Sequence, residues 1–76
     1  MQHTEKNYYS IIATNIKFFR KNLNLSQESF AEKLDCSREF ISRIENNKEK
    51  ISLKMFLKIC TTFKTIPEQF FQEPNL

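Results

Sequence analysis

Apolar residues in this chain recur every three or four positions, and no segment alternates with period two for long enough to make a strand. That spacing restricts the fold to packed helices. Tyr9, Ile12, Ile16, Phe19 and Leu23 form the stripe of a first helix, which Asn22 and Asn24 close. Ser26 is a natural N-cap for a second helix with Phe30, Ala31 and Leu34 inward, and Glu28 stands in its first turn, where the helix dipole favours an acid. Asp35, Cys36 and Ser37 break the pattern. Ser37 caps a third helix turned inward at Ile41 and Ile44 and stopped by Asn46 and Asn47. Residues 48–51 read as a loop. Ser52 caps a fourth helix whose expected inner face is Leu53, Phe56, Leu57, Cys60 and Phe63, and Pro67 opens a short fifth helix carrying Phe70 and Phe71. The expected architecture is all-α, a bundle of five short helices over residues 9–72, preceded by a flexible tail over residues 1–8.

At 76 residues the chain has room for one small domain, which buries only about 60% of its unfolded surface, so a partner subunit is one way to complete it. Twelve basic against nine acidic residues give a net charge of +3, a tilt towards a polyanionic partner. Glycine is absent, so the glycine-rich loops that cradle nucleotide phosphates cannot be written, and left-handed backbone positions fall to Asn or Asp. Cys36 and Cys60, with His3 as the lone histidine, do not make a metal set; both thiols fit apolar positions and read as reduced, with a disulfide as the alternative. No nucleophile–base pair is visible either, so an enzyme is not expected, nor a cofactor or a small-molecule ligand. No run of about 18 apolar residues spans a membrane, and the first residues lack a secretory apolar core, so a cytoplasmic protein is expected.

Residues 27–44 carry the functional signal. Two helices of about eight residues are joined by a three-residue turn. Apolar residues fall at Phe30, Leu34, Cys36, Ile41 and Ile44, and the small Ala31 stands where the helices cross most closely. The front of the later helix stays polar, with Arg38, Glu39, Ser42 and Arg43.

In this order and spacing the chain resembles the Xre/Cro-like helix-turn-helix regulators, whose fold is that of the lambda repressor DNA-binding domain. The resemblance spans about residues 12–71. It rests on Ile16 with Arg20, on the run from Leu25 to Glu28, on Phe30, Ala31 and Leu34, on Ile41, Ser42, Ile44, Glu45 and Asn46, and on Ser52 and Leu53 heading the fourth helix. Two positions depart from the family pattern: Asp35 and Asn47 stand where glycine is usual. Both residue types enter the left-handed region at some strain cost.

The resemblance implies that the helix 38–46 enters the DNA major groove, which at about 12 Å wide admits one α-helix and displays a distinct donor and acceptor pattern for each base pair. Arg38, Glu39 and Arg43 are then the base readers: arginine is the commonest bidentate reader of guanine, and glutamate accepts from cytosine while repelling phosphate. Gln27, Phe40, Ser42, Asn46 and Lys48 are expected to contact the backbone or support the reading helix. The resemblance also implies a salt bridge between Arg20 and Glu45 that pins the first helix to the third. Phe63, Phe70 and Phe71 are candidates for the contact of a homodimer on an inverted repeat, in which two reading helices meet successive major grooves about 34 Å apart.

Several of these assignments have a plainer competitor. Arg38 and Arg43 can form a solvated face, Glu39 can serve the helix dipole, Phe40 and the three later phenylalanines can be core, and Gln27 can be an ordinary first-turn residue. The function expected is a sequence-specific DNA-binding transcriptional regulator, a repressor by simple occupancy. The alternative is a protein-interaction module, antitoxin-like or a co-regulator, that uses helices 4–5 and binds DNA weakly.

Overall fold

The computed structural model describes residues 7–73. Among them the chain forms α1 (Tyr8–Asn22), α2 (Gln27–Lys33), α3 (Arg38–Glu45), α4 (Leu53–Thr62) and a 3₁₀ helix (Pro67–Phe71). The expected fifth α-helix is thus corrected to a 3₁₀ turn. Five residues are too few to propagate an α-helix, Ile66 offers no side-chain cap, and the Gln69 N–H closes the tighter ring onto the Ile66 carbonyl at 3.2 Å. The start of the domain is also corrected: Tyr8, assigned to the tail, is the first residue of α1, capped by Asn7 Oδ1, which accepts from the Ser10 N–H at 3.1 Å. The rest of the expected tail, residues 1–6, lies outside the described residues.

Ser26, Ser37 and Ser52 each accept from the backbone N–H three residues on, at 3.0 Å, and so set the starts of α2, α3 and α4. The helix ends obey one rule as well. One residue past each C-cap the backbone turns left-handed, at Asn24 (φ 59°), Asp35 (57°), Asn47 (56°) and Lys64 (55°). From there the chain doubles back in a Schellman motif: Leu25, Cys36, Lys48 and Thr65 return their N–H to the carbonyls of Arg20, Ala31, Arg43 and Cys60 at 3.3, 3.0, 2.8 and 2.9 Å. Among the described residues a chain without glycine makes four such stops, three of them with Asn or Asp and one with lysine.

The core gathers Ile12 and Ile16 of α1, Phe30, Ala31 and Leu34 around α2, Ile41 and Ile44 of α3, Ile51, Phe56, Ile59 and Cys60 around α4, and Phe70. The face of α4 differs from expectation. Leu53, 70% exposed, and Leu57 point outward, while Ile59 is buried. Apolar residues surround this helix, so periodicity alone does not choose its inner side; Phe70 does, seated edge-on between Phe56 (5.7 Å) and Phe19 (5.2 Å). Asn15 of α1 latches that corner by donating its Nδ2 to the carbonyls of Phe70 and Gln72, at 2.8 and 2.7 Å. Both cysteines are free, and burial pushes their thiols above the ordinary value.

The four left-handed stops yield a stability test. Lysine carries a β-carbon into this region without the local hydrogen bonding that Asn offers, so Lys64→Gly should raise stability by about 0.5–1 kcal/mol, and Asn47→Gly should change it by less than about 0.5 kcal/mol. Urea denaturation of the two variants checks this; equal effects at both positions would contradict it.

Candidate nucleic-acid interface

α2 and α3 are joined by Leu34, Asp35, Cys36 and Ser37. The left-handed Asp35 reverses the chain and Ser37 starts the next helix, so α3 leaves α2 through a short turn with both its ends capped. α3 then divides cleanly. Ile41, Ile44 and Glu45 are buried, whereas Arg38, Glu39, Arg43 and Asn46 are exposed and Ser42 is half-buried.

Glu45 fixes this orientation. Its side chain is 1% exposed and that of Arg20 is 9% exposed. Arg20 Nε donates to Glu45 Oε2 at 2.6 Å and Nη2 to Oε1 at 3.0 Å, a two-pronged bond that joins α1 to α3. Arg20 Nη1 donates to the Leu25 carbonyl at 2.8 Å, and Gln27 Nε2 adds a third donor to Glu45, at 3.1 Å. Among the described residues no buried side-chain nitrogen or oxygen lacks a partner.

Gln27 carries this order outward. A carboxylate only accepts, so the glutamine amide nitrogen faces Glu45 and its oxygen faces solvent. There Gln27 Oε1 accepts from Arg38 Nη1 at 3.4 Å, and Glu39 Oε2 lies 3.5 Å from Arg38 Nη2. At the other end of α3, Arg43 Nε donates to Glu49 Oε1 at 2.8 Å and the guanidinium lies 5.9 Å from the centre of the Phe40 ring. Both arginines therefore touch side chains of their own chain, yet their side chains remain 49% and 50% exposed. Asn46 Nδ2 donates to Ser42 Oγ at 3.3 Å, and Lys48 is exposed.

Phe40 is half-buried against the core, so it braces α3 from below its polar face. Of the phenylalanines expected at a partner surface, Phe71 alone is exposed. Phe70 is corrected to core at 1% exposure, and Phe63 stacks on Phe30 at 4.9 Å. Four exposed apolar side chains, Tyr8, Tyr9, Leu53 and Phe71, gather instead around one hollow, while Phe18, Leu23, Leu57 and Ile66 are exposed elsewhere. Sequence reasoning missed that hollow because it assigned Leu53 inward. It missed Glu49 because an acid six residues after Arg43 shares no helical face with it; the left-handed Asn47 brings the two together.

Two successive helices, a tight polar turn and an outward polar face on the later helix define a helix-turn-helix domain. Residues 16–71 match the helix-turn-helix family HTH_3, and the chain belongs to that Xre-like family. It is 41% identical over 56 residues to an uncharacterized HTH-type transcriptional regulator of Methanocaldococcus jannaschii, a match covering 74% of this chain and 85% of the relative. Among solved structures, a hypothetical transcription factor from Neisseria superposes with a TM-score of 0.82 at 24% identity, covering 97% of this chain and 85% of the other. The restriction-modification controller protein C.Esp1396I gives a TM-score of 0.76 at 28% identity, with 88% and 86% covered.

Removing Arg20 strands a buried carboxylate. Arg20→Met is expected to cost about 3–5 kcal/mol, and adding Glu45→Leu to it should recover part of the loss. Urea unfolding of the single and double variants measures both. Equal losses would show that Glu45 is indifferent to its partner.

Proposed function

We propose that this chain is a sequence-specific DNA-binding transcriptional regulator that inserts α3 into the major groove and represses by occupancy, as a homodimer on an inverted repeat. The observation that carries the reading is the division of α3: one side is locked into the core through Ile41, Ile44 and Glu45, and the other offers two half-exposed arginines and an acid on a rigid, capped helix. A rigid helix face of this width fits the groove, and arginine, glutamate and their spacing fit base-edge chemistry. Arg38, Glu39 and Arg43 are the base readers in this account. Gln27, Ser42, Asn46 and Lys48 meet the sugar–phosphate backbone, with Phe40 supporting the helix.

The relative named as a transcriptional regulator and the controller protein among the solved structures support the regulatory role. The hollow of Tyr8, Tyr9, Leu53 and Phe71 supports self-association, because exposed aromatic and leucine side chains grouped together gain most from being covered. The same hollow favours the second reading, an interaction module whose partner is another protein. No helix among the described residues is long and apolar enough to cross a membrane.

A salt series on duplex DNA separates the two readings. For the regulator, log affinity falls linearly with log salt by about 0.9 per phosphate neutralised, and the DNA upstream of the protein's own gene is bound at least about 10³-fold more tightly than random duplex. Identical curves on both duplexes would overturn the claim that the chain reads sequence.

A further inference from the structure

The loop after α3 is held in place by backbone geometry. Asn47 turns left-handed at φ 56°, and the N–H groups of Lys48 and Glu49 both return to the Arg43 carbonyl, at 2.8 and 3.3 Å. This seats Glu49 at the end of the polar face of α3, where its Oε1 accepts from Arg43 Nε at 2.8 Å. The arrangement places an acid next to Lys48 on the surface assigned to DNA, while Lys50 turns away with its Nζ 5.2 Å from the centre of the Tyr9 ring. A carboxylate there opposes general attraction to a polyanion, so it needs a separate physical account.

The chemistry of the guanidinium supplies one. Its donors form a planar fork, and Glu49 engages Nε, the inner nitrogen, which leaves the two Nη groups as the end offered to a ligand. Those are the groups that pair side by side with O6 and N7 of guanine. Phe40, 5.9 Å beneath the guanidinium, gives the plane a second support. With Nε held and a negative charge alongside, Arg43 is disfavoured as a phosphate contact, because the carboxylate repels the backbone, and is favoured as an end-on base contact, where the partner is neutral.

We infer that Glu49 is a specificity-determining residue: it positions Arg43 for bidentate contact with a base and penalises its use on phosphate, so that binding to unrelated DNA is suppressed. The inference rests on the proposed role of α3 in reading DNA. It makes Glu49 a positioning residue that acts through Arg43.

The test uses the full chain and two probes: a duplex enriched by the unaltered protein from a random-sequence library, and the same duplex with its sequence scrambled. Glu49→Gln keeps the size and an acceptor oxygen but removes the charge. It is expected to tighten binding to the scrambled duplex by about two- to fivefold, the range an exposed ion pair represents. The salt slope on that probe should steepen by about 0.9, as for one additional phosphate contact. Affinity for the enriched duplex stays level or falls, so discrimination drops. Glu68→Gln, on the 3₁₀ helix, serves as the charge-matched control and should move both probes equally. If Glu49→Gln also tightens both probes by one common factor, Glu49 acts only through net charge and the inference is overturned. Arg43→Ala separates the role of Glu49 from that of α3: unchanged discrimination in that variant, or the absence of any enriched sequence, overturns the reading of α3 itself. Loss of discrimination in Arg43→Ala with none in Glu49→Gln overturns the role of Glu49 alone.

Discussion

A carboxylate almost wholly removed from water has to find its donors inside the protein, and Glu45 finds three, from Arg20 Nε, Arg20 Nη2 and Gln27 Nε2. These three bonds join α1, α2 and α3 at one point. The apolar core would tolerate some sliding of α3, because dispersion and burial have no direction. The two-pronged pair does not, since its donors and acceptors meet in one plane at one rotation of the helix. The outward presentation of Arg38, Glu39 and Arg43 is therefore fixed from the buried side of the same helix. Gln27 extends that order from Glu45 to Arg38 within a few ångströms.

The polar face is not a bare run of positive charge. Each arginine of α3 is accompanied by an acid of its own chain, Glu39 beside Arg38 and Glu49 beside Arg43. Such exposed pairs add little to stability. Their consequence is geometric and electrostatic: the guanidiniums are partly oriented before any ligand arrives, and part of the attraction to phosphate is cancelled. On the proposed reading of α3, affinity for any polyanion is thereby lowered and the share of binding that depends on base contacts rises.

Much of this was legible in the sequence, and the legible parts share a cause. Ser26, Ser37 and Ser52 announce helix starts because a hydroxyl cap works within three residues. The left-handed stops at Asn24, Asp35 and Asn47 follow from local chemistry too. Part of what could not be read depends on distant packing. Leu53 and Leu57 fit an inward stripe as well as Ile59 does, and only the seating of Phe70 against Phe19 and Phe56 decides between the two sides of α4. The exposed hollow beside Tyr8 and Tyr9 follows from that choice. The Arg43–Glu49 pair needs a chain reversal between its members, and the left-handed turn at Lys64 breaks the residue preference that made the other three visible.

On the proposed reading, the face of α3 fixed by Glu45 is the surface that meets DNA. Backbone amide chemical shifts, followed while the enriched duplex is titrated into labelled protein, test it most directly. The account requires the largest changes in residues 37–49 and at Gln27, with the amides around Leu53 and Phe71 unmoved beyond any effect of self-association. Changes centred on Tyr8, Tyr9, Leu53 and Phe71, with α3 silent, would contradict it.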